Sequence, residues 1–436
     1  MREIDVTANE LVRTLLRMSE DEPVCFLDSS GVGHLGSHLL IAGVRPVETI
    51  ELTTDDVDEL LGILDGNLSG DLAGIFTLSY DFGAKIQGVP TTGYSAEPDV
   101  FLALFQTLII HDYDSGRTVL VGDEAGFDGI PRFDTDLGVV PEQQLRITSG
   151  HFRSSFSRED YLAAVDKIQE YIRSGDTYQT NLTQQLTARS VLTPQEIFLR
   201  LRKDHPAPFA AFLKRKTSTV VSASPERFFC VKRDGTIEAS PIKGTRRRGD
   251  SPDEDAQLRA ELISSEKDRA ENTMIVDLVR NDLGRVCEFG SVSVEKLCDL
   301  EEHPTLLHLV STVRGQLRPS ASFSEILRAT FPCGSITGAP KIRTMKIIEE
   351  VETAKRGLSM GAIGVYIPPG WDFGGVAFDA VYDLSVAIRT MVIRDGVATF
   401  SVGGGIVIDS IPADEYDESL LKAAALVASL GNTTEN

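Results

Sequence analysis

The chain has 436 residues, 42% hydrophobic and 25% charged, with a formal net charge of −22. It is long enough for a large core, in two domains or one intertwined unit. So acidic a chain is a poor general binder of nucleic acid or anionic membrane, and an anionic substrate needs a locally basic pocket.

From the N-terminus, the run Met1-Arg2-Glu3-Ile4-Asp5 carries charges where a signal peptide needs apolar residues. Residues 1 to about 120 alternate short apolar runs (Val24–Leu27, Leu39–Val44, Ile75–Leu78, Phe101–Ile110) with turn residues, which predicts strands and a few helices. The stretch from Val100 to Ile110 is too short to span a bilayer and is interrupted by Gln106, so it reads as buried strand. Residues 123 to 156 hold Gly126, Gly129, Pro131, Gly138, Pro141 and Gly150 with little periodicity, the mark of a connector. That divides the chain into an N-terminal α+β region, 1–150, and a second region, 151–436. The cysteines (Cys25, Cys230, Cys287, Cys298, Cys333) are dispersed, without metal-ligand spacing, and suit a reducing cytoplasm.

After the connector, Ser157 followed by Asp160 is an N-cap pattern. Tyr161, Val165, Ile168 and Ile172 continue at helical spacing to Gly175. Asp234-Gly235 between two β-rich runs predicts a two-residue hairpin turn. That register sets Arg233 opposite Thr236 and, carried to the open end, Glu226 opposite Lys243, with Cβ atoms roughly 4.5–5.5 Å apart. Pro241 cannot donate to the ladder, so a bulge there would shift the pairing. Lys243, between an apolar residue and a glycine just after a strand, is a nucleophile if buried and neutral, and one more surface lysine or a cross-strand salt bridge if not. Arg246, Arg247 and Arg248 are the one dense cationic cluster; they are either a basic pocket or a solvated loop.

Further helices are predicted from about Ser265 to Asn281, from near Pro340 carrying Ile342, Met345 and Ile348, and from about Asp417 to Leu430. Asp268 with Glu271, and Glu415 with Glu418, stand at i and i+3, which puts two carboxylates on one helix face. Such pairs are usually solvated charge; the sharper reading is a Mg²⁺ site taking one glutamate from each helix. Asp395-Gly396 predicts a second hairpin. Its register sets Arg389 opposite Val402, beside Gly403-Gly404-Gly405, where a guanidinium and backbone N–H groups could clamp a carboxylate. Antiparallel hairpins alternating with helices argue for an α+β fold.

Ser224-Pro225-Glu226-Arg227-Phe228, Pro241-Ile242-Lys243-Gly244-Thr245, Glu266 to Asn272, Val276 to Asp282 and Gly338-Ala339-Pro340-Lys341 resemble the chorismate-utilising enzymes, over about Ser157 to Leu430. Gly175 to Leu182 is a further similar stretch. The resemblance implies two intertwined α+β subdomains with antiparallel β-sheets packed between helices. It implies Glu226 as general acid/base, Glu271 and Glu418 as Mg²⁺ ligands with Asp268 and Glu415 beside them, and His308 as an active-site histidine. It makes Arg389, Tyr366 and the amides of Gly404 and Gly405 substrate-carboxylate binders, next to Gly403, Thr337 and Thr245.

Anthranilate synthase large subunits carry alanine where Lys243 stands; lysine there marks the branch that aminates C4 of chorismate. The resemblance thus implies conversion of chorismate and ammonia to 4-amino-4-deoxychorismate through a covalent Lys243 intermediate. The ammonia would come from a separate glutamine amidotransferase subunit, because no amidotransferase stretch is visible. A free lysine, of pKa about 10.4, is only ~0.04% neutral at pH 7, so Lys243 must be tuned to react. The competing readings are anthranilate, isochorismate or salicylate formation, or a non-catalytic chorismate-binding paralogue. A tryptophan site near Leu27-Asp28-Ser29-Ser30 is not predicted.

Overall fold

The computed structural model describes residues 1–33, 38–91, 93, 95–129, 152–302, 306–376 and 378–431. Most of the expected connector lies outside these residues; its two ends are a short 3-10 helix, Glu124–Gly129, and a strand, Arg153–Ser154.

The described residues form two antiparallel sheets, of twelve and ten strands. The chain passes between them repeatedly. Val24–Asp28 and Leu39–Val44 lie in the larger sheet, then Glu48–Leu52 and Ala73–Leu78 in the smaller. Phe209–Lys214 and Thr219–Ser224 return to the larger, Arg227–Lys232 and Ile242–Arg247 to the smaller, and Thr390–Arg394 and Val397–Ile406 to the larger. Both sheets therefore take strands from either side of residue 150. Ile41, Ile75, Phe101, Ala211, Val220 and Val365 fill the space between the sheets. Helices Ala8–Met18, Pro194–Asp204 and Pro412–Ser429 cover the outer face of the larger sheet through residues such as Leu11, Phe198 and Leu426. Helices Val57–Asn67, Glu266–Gly284 and Phe323–Thr330 cover the smaller one through Leu64, Ile275 and Leu327. This is the α+β architecture expected, with sheets between helices. No helix among the described residues is long and apolar enough to cross a membrane.

The caps decide where helices start. Ser157 accepts from the Asp160 amide ahead of Arg158–Arg173, and Ser265 from the Asp268 amide ahead of Glu266–Gly284. The last helix begins at Pro412, five residues before its expected start. Pro412 fits a first turn, and Asp414 and Glu415 complement the helix N-terminus.

The two Asp-Gly turns differ. At Asp395-Gly396 both residues have positive φ, 51° and 72°, and Arg394 faces Val397 as expected. At Asp234-Gly235 only Gly235 does, at 81°, and its amide bonds the Lys232 carbonyl. Val231 there faces Ile237, so the loop has three residues and the register slips by one. The strand order removes the expected Glu226–Lys243 pairing altogether: Leu306–Gln316 lies between Thr236–Ala239 and Ile242–Arg247.

One buried ion pair ties the smaller sheet together. The Arg227 guanidinium grips Asp383 with two 2.9 Å bonds, with side-chain exposures of 5% and 10%. Removing one partner strands the other charge, so Asp383→Ala is expected to lose about 3–5 kcal/mol in urea unfolding. The double variant Arg227→Met/Asp383→Leu should recover much of that loss.

Candidate active site

Glu226 lies at a crossing between the sheets, after Thr219–Ser224 and before Arg227–Lys232. The Ser224 hydroxyl donates to the Val386 carbonyl at 2.6 Å, and the Val386 amide to the Glu226 carbonyl at 3.0 Å, which fixes the corner. The Glu226 side chain is buried, and its Oε1 has no partner. Burial pushes this carboxyl up to about 7, against a hydrogen bond from Ser335 and the Lys243 charge, which both pull it down.

Lys243 lies within the strand Ile242–Arg247, not in a turn after one, and is half-buried. The ladder to Leu306–Gln316 breaks between Ile242 and Thr245. Gly244 occupies that bulge at φ +81°, and a Cβ there would lie 3.0 Å from the Asp268 side chain. Glycine thus allows the helix Glu266–Gly284 to close on the strand. The Lys243 charge acts on three carboxylates: Glu226, Glu271 and Glu418. Thr245 Oγ1 is 2.9 Å from Nδ1 of the buried His308, its partner across the ladder.

The two acidic helices converge here. Burial raises the Glu271 carboxyl, with Lys243 and Lys267 pulling it down and Asp268 and Glu418 adding repulsion. Burial would also raise Glu418, but Lys422, bonded at 2.7 Å, and then Lys267 and Lys243 hold it below its usual value. Glu415, raised by burial, accepts from Ser410 at 2.7 Å. Asp268 is turned to Arg246, at 3.3 Å. Among the described residues no three acids, histidines or cysteines stand together as a ready metal cluster. Glu271 and Glu418 still suit a cation that takes few carboxylates and completes its shell with water or substrate oxygens. The Lys422 ammonium marks where positive charge is accepted, bridging Glu418 and the Gly403 carbonyl, the latter at 3.0 Å. Gly404 leaves the space open, since a Cβ there would lie 3.3 Å from Glu415 Oε2 and 3.9 Å from Glu418 Oε1.

The glycine strand corrects two expectations. The hairpin ladder ends at Val392 opposite Thr399, short of Arg389 and Val402. Arg389, at φ +48°, turns out of the strand, and its carbonyl accepts from Ala223. Its guanidinium is half-buried with no acidic partner among the described residues, and burial lowers its pKa. Such a cation is suited to an incoming anion. On the strand itself, the Ser401 amide donates outward to Ser359. Asn181, opposite Gly405, and Thr183, opposite Gly403, turn their own amides away from the ladder to Thr337 and Glu352. Alternation therefore frees the Gly403 and Gly405 amides, whereas the Gly404 amide belongs to the ladder.

Tyr366 is not part of this group. It sits in the smaller sheet opposite Gly74 and Tyr382, and its hydroxyl donates to the Gly70 carbonyl at 2.8 Å. Ala362, near Glu226 through Val386, is four residues and roughly 13 Å away along the strand. Thr337 is buried and donates to the Cys333 carbonyl at 3.0 Å, leaving its own carbonyl for Asn181. The arginine cluster is neutralised: Arg246 pairs Glu261 and Asp268, Arg247 pairs Glu254, and Arg248 pairs Asp255. It is not the basic pocket.

Gln179 has no chemical role by sequence pattern, but its surroundings set it apart. It is fully buried, neither amide atom has a partner, and a Cβ on Gly405 would lie 2.1 Å from its Nε2. An amide left unpaired beside free backbone N–H groups is suited to a polar ligand.

Residues 23–428 match the family model described as chorismate binding enzyme. The chain is 40% identical over 363 residues to aminodeoxychorismate synthase of Streptomyces griseus, a match covering 80% of this chain and 49% of that protein. It spans about half the length of that relative. It is 36% identical over 366 residues to aminodeoxychorismate synthase component 1 of Bacillus subtilis (strain 168), covering 81% and 76%. The solved anthranilate synthase component I from Streptococcus pneumoniae TIGR4 superposes with a TM-score of 0.75 at 27% identity, covering 91% of this chain and 93% of that one.

Proposed function

Because the chain belongs to the chorismate binding enzyme family, we propose that it converts chorismate and ammonia to 4-amino-4-deoxychorismate and water. The observation that carries this is a buried carboxyl, held near neutrality, within Coulombic reach of Lys243. A protonated acid beside an amine is what a double displacement needs.

The Lys243 amine attacks C2, the ring double bonds shift, and the C4 hydroxyl leaves as water with the proton of Glu226. Ammonia then attacks C4, the double bonds shift back, and the C2–nitrogen bond to Lys243 breaks. Glu226, now a carboxylate, takes a proton from the new C4 ammonium group. Atoms balance as chorismate plus ammonia giving aminated product plus water. Glu271 and Glu418 would hold Mg²⁺, which would supply charge stabilisation at the C1 carboxylate. Arg389 and the Gly403 and Gly405 amides bind the enolpyruvyl carboxylate, and His308, oriented by Thr245, lines the ring.

Ammonia would come from a separate glutamine amidotransferase subunit, in keeping with the name component 1 of the Bacillus relative. The product would supply p-aminobenzoate and folate synthesis in the cytoplasm.

The test is product identity from chorismate, MgCl₂ and ammonium chloride, read by mass and ultraviolet spectra. Anthranilate as sole product would defeat the reading. A second check concerns binding: Arg389→Ala removes a charge-assisted contact and should raise KM for chorismate roughly 10- to 100-fold. The kcat should change far less.

A further inference from the structure

The strand Gln179–Arg189 pairs the glycine strand Val397–Ile406 along one edge, but its other edge is covered only in part. Gly338–Ala339 covers it at Gln179 and Thr180, and Arg153–Ser154 at Leu186 and Thr187. Between them, among the described residues, no strand lies beside Asn181 and Thr183. Their outward backbone groups still need partners. The Asn181 amide donates to the Thr337 carbonyl at 2.8 Å. Two side chains just past the helix Lys341–Val351 supply more. Arg356 Nη2 donates to the Asn181 carbonyl at 2.7 Å. Glu352 Oε1 accepts the Thr183 amide at 2.7 Å and its hydroxyl at 3.0 Å. The pair is joined by Nε to Oε2 at 2.9 Å and Nη2 to Oε1 at 2.7 Å. The remaining guanidinium nitrogen, Nη1, donates to the Ile336 carbonyl at 2.9 Å, one residue before Thr337.

The two side chains are 2% and 5% exposed, and the Tyr80 ring centre lies 4.4 Å from the guanidinium carbon. A buried ion pair is weak support for stability, because desolvation offsets the attraction. Its geometry is what stands out. All three guanidinium nitrogens and both carboxylate oxygens are engaged, and the bonds to Asn181, Thr183 and Ile336 end on main chain. Their effect reaches the glycine strand through the register: Asn181 faces Gly405, Leu182 faces Gly404, and Thr183 faces Gly403. With Asn181 and Thr183 bonded outward, Leu182 is the residue turned to the ladder, opposite Gly404. The same alternation leaves the Gly403 and Gly405 amides free for a ligand.

We propose that Arg356 and Glu352 are positioning residues for carboxylate binding: they stand in for a missing strand and so hold the Gly403 and Gly405 amides toward the substrate. The pair touches no reacting atom; it acts through Asn181 and Thr183 on the strand opposite. The inference rests on the reading that chorismate is the substrate.

The experiment joins steady-state turnover, with chorismate varied at fixed MgCl₂ and ammonium chloride, to amide hydrogen exchange of the chain without substrate. Arg356→Lys keeps the charge but cannot hold two carbonyls and a carboxylate at once. It should raise KM for chorismate roughly tenfold or more and change kcat by less than about threefold. Glu352→Gln, which still accepts from Thr183, should keep that KM within about threefold of wild type. In Arg356→Lys the Gly404 amide should exchange roughly tenfold faster, with the smaller sheet unchanged. Arg356→Met/Glu352→Leu leaves no buried charge, so it should fold and still raise the chorismate KM; it covers the case in which Arg356→Lys does not fold. An unchanged chorismate KM in the folded variants, or faster exchange throughout both sheets, overturns the positioning role. A wild-type chain that does not turn over chorismate sinks the functional reading instead, and exchange at Gly404 then decides the positioning role by itself.

Discussion

Lys243→Ala is expected to lose C4 amination by a factor on the order of 10³ or more, while chorismate still binds. Without the amine there is no C2 adduct, so ammonia can attack C2 only once, with loss of the C4 hydroxyl. Residual turnover should therefore carry nitrogen on C2. The binding groups (Arg389, the Gly403 and Gly405 amides, Glu271 and Glu418) do not depend on this side chain, although Glu271 and Glu418 lose a neighbouring positive charge. Both carboxyl pKa values should rise slightly as a result. Two measurements check this. Intact-protein mass spectrometry with chorismate and no ammonium should show an adduct on wild type and none on the variant. Product analysis with ammonium should show the switch in position. A variant that still makes the C4 amine at a tenth of the wild-type rate would defeat the role given to Lys243.

The chemistry of this site was more legible in the sequence than its geometry. Ser265 and Ser157 are caps that announce their helices, because a hydroxyl three residues ahead of an aspartate at the helix N-terminus has a local job, accepting that residue's amide. The two Asp-Gly turns look alike in sequence, yet only Asp395 takes a left-handed φ, and one extra loop residue moved the other register. A hairpin argument also knows only its own two strands. It could not know that Leu306–Gln316, sixty residues on, would slot in beside Ile242–Arg247. The Lys243 charge reaches Glu226 all the same: Glu226 sits at a crossing between the sheets, and a bulge at Gly244 breaks the ladder of the lysine strand. Tyr366 shows the opposite weakness: a residue type that suits a carboxylate site does not say where along a strand it will lie, and its hydroxyl is taken by the Gly70 carbonyl. Gln179 falls in the Gly175–Leu182 stretch, yet nothing in that stretch singles it out, because glutamine in a strand carries no signature; burial without a partner does.

The protonation of Glu226 carries the other large effect. Its carboxyl is raised to about 7, chiefly by burial, so at pH 6 it is mostly protonated and at pH 8 mostly ionised. The first displacement needs the proton, to expel the C4 hydroxyl as water. Hence kcat/KM should fall as pH rises above about 7, toward tenfold per unit. Glu226→Gln keeps the shape and removes the proton: kcat should drop about 10²- to 10⁴-fold, and the high-pH limb assigned to Glu226 should vanish. Stability should move the other way. A carboxyl whose folded pKa is raised favours folding most below its unfolded value and loses that contribution as pH climbs to about 7. Above that the wild type carries a buried carboxylate, a penalty on the order of 3 kcal/mol that the amide avoids. Urea unfolding of both proteins at pH 5 and pH 8 reads this directly. Glu226→Gln should gain on wild type between the two, and a gain that is equal at both pH values would mean the carboxyl is not protonated where the mechanism needs it.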